Sequence, residues 1–156
     1  MTALHHASIT TADLDRLRDF YCRHFGFVEV LATQWAPGTN LAADAIFGLR
    51  GTAVRMSMLR SANAFLELFE FAAPVGKAGD PARPVNDAGL THICLCVDDV
   101  NADYARLKAV GMVFNCPPQT VPGLCIATYG RDPDGNLVEL MQPDPSGPFA
   151  MPAARG

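Results

Sequence analysis

His6-Ala7-Ser8-Ile9, with Asp13-Leu14 behind it, returns as His92-Ile93-Cys94-Leu95 with Asp99-Val100. The His and the Asp both recur at an offset of 86 positions. Each copy runs on into an amphipathic stretch that ends near a glycine. Each half then closes on an apolar run with one glutamate, Phe65-Leu66-Glu67-Leu68 and Leu137-Val138-Glu139-Leu140. Internal similarity on this scale predicts two equivalent halves, each reading His-strand, helix, strands, Glu-strand.

Leu14, Leu17, Tyr21 and Phe25 recur every three or four positions and predict one apolar helix face. Thr11 is the expected cap of that helix, and Gly26 its left-handed stop. In the second half Val100, Tyr104, Leu107 and Val110 form the stripe, with Asp98 or Asp99 as cap and Gly111 as stop. Short runs rich in apolar or β-branched residues predict strands at 4–10, 27–33, 53–59, 64–71, 91–97, 112–116, 124–129 and 137–141. Asp132-Pro133-Asp134-Gly135 is a turn that joins the last two strands, since Pro fixes φ and Gly takes a positive one.

The stretch 74–89 holds Pro74, Pro81, Pro84, Gly76, Gly79 and Gly89 and reads as a linker between the halves. The first half is the longer, and its extra residues lie near Trp35–Gly51. Asn40–Phe47 suits one or two helical turns there, acting as a lid or specificity element or as a plain surface excursion. Pro143–Gly156 is Pro-, Gly- and Ala-rich and reads as a mobile tail.

Strand side chains alternate between two faces. His6 and Ser8 therefore share a face that Ala7 and Ile9 oppose, and His92, Cys94 and Cys96 share another. Glu67 and Glu139 each sit between apolar neighbours that point toward the helices. The face away from the helices thus carries two His and two Glu. Carboxylates brought together repel and are expensive to bury in ionised form. A divalent cation removes both costs, and this donor set suits Zn, Ni, Co, Mn or Fe. His5 falls outside the repeat register and is expected on the helix-facing side.

Composition narrows the field. The 156 residues are 49% hydrophobic and 18% charged, a globular balance. A net charge of −4 without any Lys/Arg block argues against nucleic acid. No apolar run approaches the roughly 20 residues of a membrane span. Met1-Thr2-Ala3-Leu4-His5-His6 lacks the basic and apolar regions of a signal peptide. Together with five cysteines, an odd number, this predicts a cytoplasmic protein with free thiols.

As a set, these stretches resemble the vicinal oxygen chelate superfamily, which includes glyoxalase I, methylmalonyl-CoA epimerase, extradiol dioxygenases, and fosfomycin and bleomycin resistance proteins. Leu4-His5-His6-Ala7-Ser8-Ile9, Phe20-Tyr21, Phe25-Gly26, Gly89-Leu90-Thr91-His92-Ile93 and Asp132-Pro133-Asp134-Gly135-Asn136-Leu137-Val138-Glu139-Leu140 carry the resemblance, over about residues 4–142. It implies an α+β fold of two paired βαβββ modules forming a half-open barrel. The domain would be 1–142, with module one at 4–73, linker 74–89 and module two at 90–142, followed by the tail 143–156. It further implies one divalent metal ion per site, held by His6, Glu67, His92 and Glu139, and a homodimer.

The resemblance also implies an activity. A carboxylate at Glu67 is similar to glyoxalase- and epimerase-like enzymes, whereas ring-cleaving dioxygenases match only His6, His92 and Glu139. The expected reaction is that of a metal-dependent isomerase or lyase, with proton transfer next to a carbonyl through an enediolate held by the metal. By the same resemblance Glu139 is the expected base, released from the metal when substrate binds, with Glu67 the second choice or the opposite-face partner. The alternatives are an Fe(II) ring-cleaving dioxygenase and a non-catalytic ligand-binding or resistance protein. Trp35, Leu41, Ile46 and Phe47 in the insertion, with Phe65, Phe69 and Met141, suggest a small apolar or aromatic substrate. Arg55, or Arg50 in the insertion, is a candidate for a substrate carboxylate, the alternative being a plain exposed arginine.

Overall fold

Leu14, Leu17 and Tyr21 line the buried side of α1 (Leu14–Phe25) in the computed structural model, which describes residues 2–151. The chain divides into two units, Met1–Gly79 and Asp80–Gly156.

In the first unit β1 (His6–Thr10) leads through α1 to β2 (Val28–Trp35). The inserted α2 (Leu41–Phe47) follows, then β3 (Ala53–Arg60) and β4 (Phe65–Ala73). The sheet order is β1-β4-β3-β2, with β1 parallel to β4 and the other pairs antiparallel. α1 packs over β3 and β4. Ser57 and Leu59 of β3 pair with Leu68 and Leu66 of β4, and all four are buried on the helix side. Burying a leucine fully stabilises by about 1.5–3 kcal/mol, so this alternation fixes the register of the strands.

The cap of α1 differs from expectation. Asp13 is the N-cap, its side chain accepting from Arg16 N, while Thr11 Oγ1 accepts from Asp13 N at 3.0 Å and shapes the turn before it. Gly26 stops the helix at φ 68°.

In the second unit β5 (His92–Cys96) leads through α3 (Val100–Ala109) to β6 (Val113–Phe114), β7 (Gln119–Val121), β8 (Cys125–Arg131) and β9 (Leu137–Pro143). The order is β5-β9-β8-β6, with β5 parallel to β9 and β7 pairing with β8 beside that path. Val138, Leu140 and Thr128 are buried, as are Val100 and Leu107 of α3, the helix that packs on β9. Asp99 is the cap; Val110 falls off the stripe and is 55% exposed, because the helix has already ended at Ala109. The strand expected at 112–116 shrinks to two residues and a separate β7 appears. Pro117 and Pro118 lack the N–H a ladder needs and split the segment.

The tail departs from its reading in part. β9 extends through Pro143, Asp144 N donates to Leu124 O, and Ser146 bonds Asp144. Residues 152–156 of the expected mobile tail lie outside the described residues. No helix among the described residues is long and apolar enough to cross a membrane.

Candidate functional site

Parallel pairing of β1 with β4 sets His6 opposite Phe65 and Ser8 opposite Glu67. In the second unit His92 is opposite Leu137 and Cys94 opposite Glu139. Each glutamate thus stands two residues beyond the partner of its histidine, on the face away from the helix. His6 Nε2 lies 3.4 Å from Glu67 Oε2, and His92 Nε2 lies 3.0 Å from Glu139 Oε2. Both carboxylates are largely sheltered, each with 16% of its side chain exposed.

This spacing fits a metal. Two donors about 3.0–3.4 Å apart subtend roughly 90–110° at an ion bound with bonds of about 2.1 Å. The structure brings the four predicted residues together as two pairs, one in each unit. Among the described residues no group of three or more His, Cys, Asp or Glu is gathered into a metal-holding cluster. The far nitrogens of the two histidines differ. His6 Nδ1 meets His5 Nδ1 at 2.9 Å, whereas His92 Nδ1 is buried with no hydrogen-bond partner among the described residues.

His5 is not on the helix-facing side as expected. Its ring stacks on Phe65, with centroids 4.7 Å apart and planes 7° from parallel. β1 begins only at His6, so strand alternation does not govern His5.

Around Glu67, the residue opposite on β3 is Met58, and Met56 faces Phe69. Farther along this face Trp35, Phe47, Phe69 and Phe71 form an aromatic wall. Phe47 lies 6.2 Å from Trp35, 5.3 Å from Phe69 and 5.5 Å from Phe71, centroid to centroid. α2 is held against the sheet by Asp44, whose carboxylate accepts from Gly51 N, Thr52 N and the Thr52 hydroxyl. Trp35 Nε1 donates to the same Thr52 oxygen at 2.9 Å. The Thr52 hydroxyl bond, first, and the backbone donors hold the Asp44 carboxyl below its ordinary value.

Two of the apolar insertion residues do not belong to this wall. Leu41 is 72% and Ile46 81% exposed, because the short helix turns them away from Phe47. Arg55 is also on the other side of the sheet. It pairs with Asp15 at 2.8 Å and Glu70 at 3.3 Å, opposite Glu70 in the ladder, and its charge is already met there.

Glu139 has one neighbour the sequence did not single out. Tyr129 is its antiparallel partner on β8, with its ring 4.9 Å from His92. Counting back across the Asp132–Gly135 turn pairs Leu137 with Arg131 and hence Glu139 with Tyr129, so the hairpin held that signal. Burial, then the Glu139 charge, pushes the Tyr129 hydroxyl up and keeps it protonated. The Cys94 thiol rises for the same reasons, strongly, and it also shares a hydrogen bond with Glu139. Met141 is half-buried opposite Cys96 on the same face.

Residues 3–140 match a family model, the Glyoxalase/Bleomycin resistance protein/Dioxygenase superfamily. The uncharacterized protein YaeR of Escherichia coli (strain K12) is 28% identical over 142 residues, covering 89% of this chain and 95% of that one. A glyoxalase family protein of Bacillus cereus superposes with a TM-score of 0.82 at 21% identity, over 92% of this chain and 95% of that chain. The trypanothione-dependent glyoxalase I of Leishmania major superposes at 0.62 with 20% identity, over 91% and 87%. At these identities the two superpositions speak for the fold alone.

Proposed function

Because the chain belongs to the Glyoxalase/Bleomycin resistance protein/Dioxygenase superfamily, we propose that it is a divalent-metal-dependent isomerase or lyase. It moves a proton at a carbon next to a carbonyl. The observation that carries this reading is the repeated His–Glu pair, 3.4 Å apart in one unit and 3.0 Å in the other. His6, Glu67, His92 and Glu139 would hold one ion, drawn from Zn, Ni, Co, Mn and Fe. When bound, that ion supplies Lewis-acid polarisation of a substrate oxygen.

The chain's own groups account for the rest. Glu139 takes the proton at Oε2 and returns it, with Glu67 in the opposing role. Tyr129, protonated and opposite Glu139, and the neutral Cys94 thiol surround the base without adding charge. The aromatic wall from Trp35 to Phe71 favours a small substrate with an apolar or aromatic group. The chain acts as a homodimer in the cytoplasm.

Two carboxylates in the donor set favour this reading over a ring-cleaving dioxygenase. The test is the metal content of tag-free protein by plasma mass spectrometry, beside His6→Ala, Glu67→Ala, His92→Ala and Glu139→Ala. About one divalent ion per chain in the wild type, lost in every variant, means that both pairs serve one ion. Deuterium exchange from solvent into α-hydroxy-carbonyl or thioester substrates then identifies the chemistry. Iron that survives Glu67→Ala, with oxygen uptake on catechols, would shift the assignment to the dioxygenase. No metal after reconstitution would leave a ligand-binding protein.

A further inference from the structure

We infer that His5 is a positioning residue for His6: it receives the His6 Nδ1–H and thereby leaves the Nε2 lone pair of His6 as the donor beside Glu67. The inference rests on the metal reading above, and four contacts carry it. The two Nδ1 atoms are 2.9 Å apart, a full hydrogen bond, while His6 Nε2 is 3.4 Å from Glu67, long for one. The His5 ring is itself fixed, stacked on Phe65 with centroids 4.7 Å apart. Phe65 is the residue paired with His6 across β1 and β4, and its N–H donates to His5 O at 3.2 Å. The aromatic stack and the ladder thus hold the acceptor where His6 needs it.

The second unit lacks this device. Thr91 stands where His5 stands in the repeat, and His92 Nδ1 is left without a partner among the described residues. His92 Nε2 instead closes to 3.0 Å from Glu139. The two histidines are therefore unequal. His6 is set for metal before the ion arrives, and His92 must give up its contact with the carboxylate first. A ligand histidine is commonly oriented through its second nitrogen, and losing that partner typically weakens binding about 10- to 100-fold.

The experiment titrates Zn2+ into metal-free wild-type, His5→Phe and His5→Asn protein by calorimetry, with folding checked by circular dichroism. Phe keeps the stack on Phe65 and removes the acceptor; Asn supplies an acceptor oxygen again. The expected result is a loss of about 10- to 100-fold for His5→Phe and recovery of most of it for His5→Asn. Long-range 15N–1H spectra of the metal-free wild type should show His6 protonated at Nδ1, and His5→Phe should lose that preference. Wild-type affinity in His5→Phe, or His5→Asn no better than His5→Phe, overturns the role of His5 while the metal reading stands. A His6 proton on Nε2 in the wild type overturns it too. No Zn2+ binding by the wild type removes both.

Discussion

Glu70 Oε2 accepts the backbone N–H of Leu14, the first residue of α1, at 2.8 Å. Gln142 Oε1 does the same for Val100, the first residue of α3, at 3.2 Å. Each lies three residues beyond the glutamate of its His–Glu pair. The strand that presents a candidate ligand on one face therefore ties down the helix on the other. Helix termini leave such N–H groups without partners inside the helix. Glu70→Ala should lower stability by about 1 kcal/mol, the usual worth of a lost cap. Chemical denaturation checks this, and metal affinity should hardly change because His6 and Glu67 keep their sheet positions.

Glu139→Gln should reduce solvent deuterium exchange into substrate by about 10²–10⁴-fold, the range for loss of a general base. Glutamine retains an oxygen but not the basicity. Exchange at the wild-type rate in this variant would remove Glu139 from the role of base.

Thr52→Val breaks the link between Asp44 and Trp35 while keeping the volume of the side chain. The chain has one tryptophan, so its fluorescence reports on this spot alone. The expected outcome is an altered Trp35 emission maximum and a lower melting temperature. The Asp44 carboxyl is held below its ordinary value of 3.8, so the folded state favours the ionised form. That stability is present above the unfolded value and fades as pH falls through the lower folded one. The melting temperatures of wild type and Asp44→Asn should therefore differ most near neutral pH and converge in acid below about pH 3.8.

Cys94 should resist alkylation at neutral pH although the residue is partly open to solvent. Its thiol is raised by burial of the sulfur and by Glu139, and the thiolate is the nucleophile. Glu139→Gln should speed iodoacetamide labelling at position 94 by removing the adjacent charge. Peptide mass spectrometry after timed labelling reads the change.

Much of this architecture was written into the order of residues. The offset of 86 between His6 and His92 and between Asp13 and Asp99 marked the two halves. Period-two alternation around Glu67 and Glu139 placed both on the face away from the helices, as the ladders do. These signals are local, because alternation and capping depend on near neighbours in the chain. The departures have the opposite character. Arg55 meets Asp15 and Glu70, His5 lies on Phe65, and Tyr129 faces Glu139, each through residues distant in sequence or across a turn.

The sequence by itself determined the doubled His-strand, helix and Glu-strand plan, because hydrophobic period and capping residues act over one or two turns of chain. Only the tertiary structure decided which nitrogen of each histidine has a partner, which aromatic rings form the wall and which charges are already met. Those outcomes depend on strand register and on side chains that meet across the sheet, where a one-residue slip would turn every group to the other face.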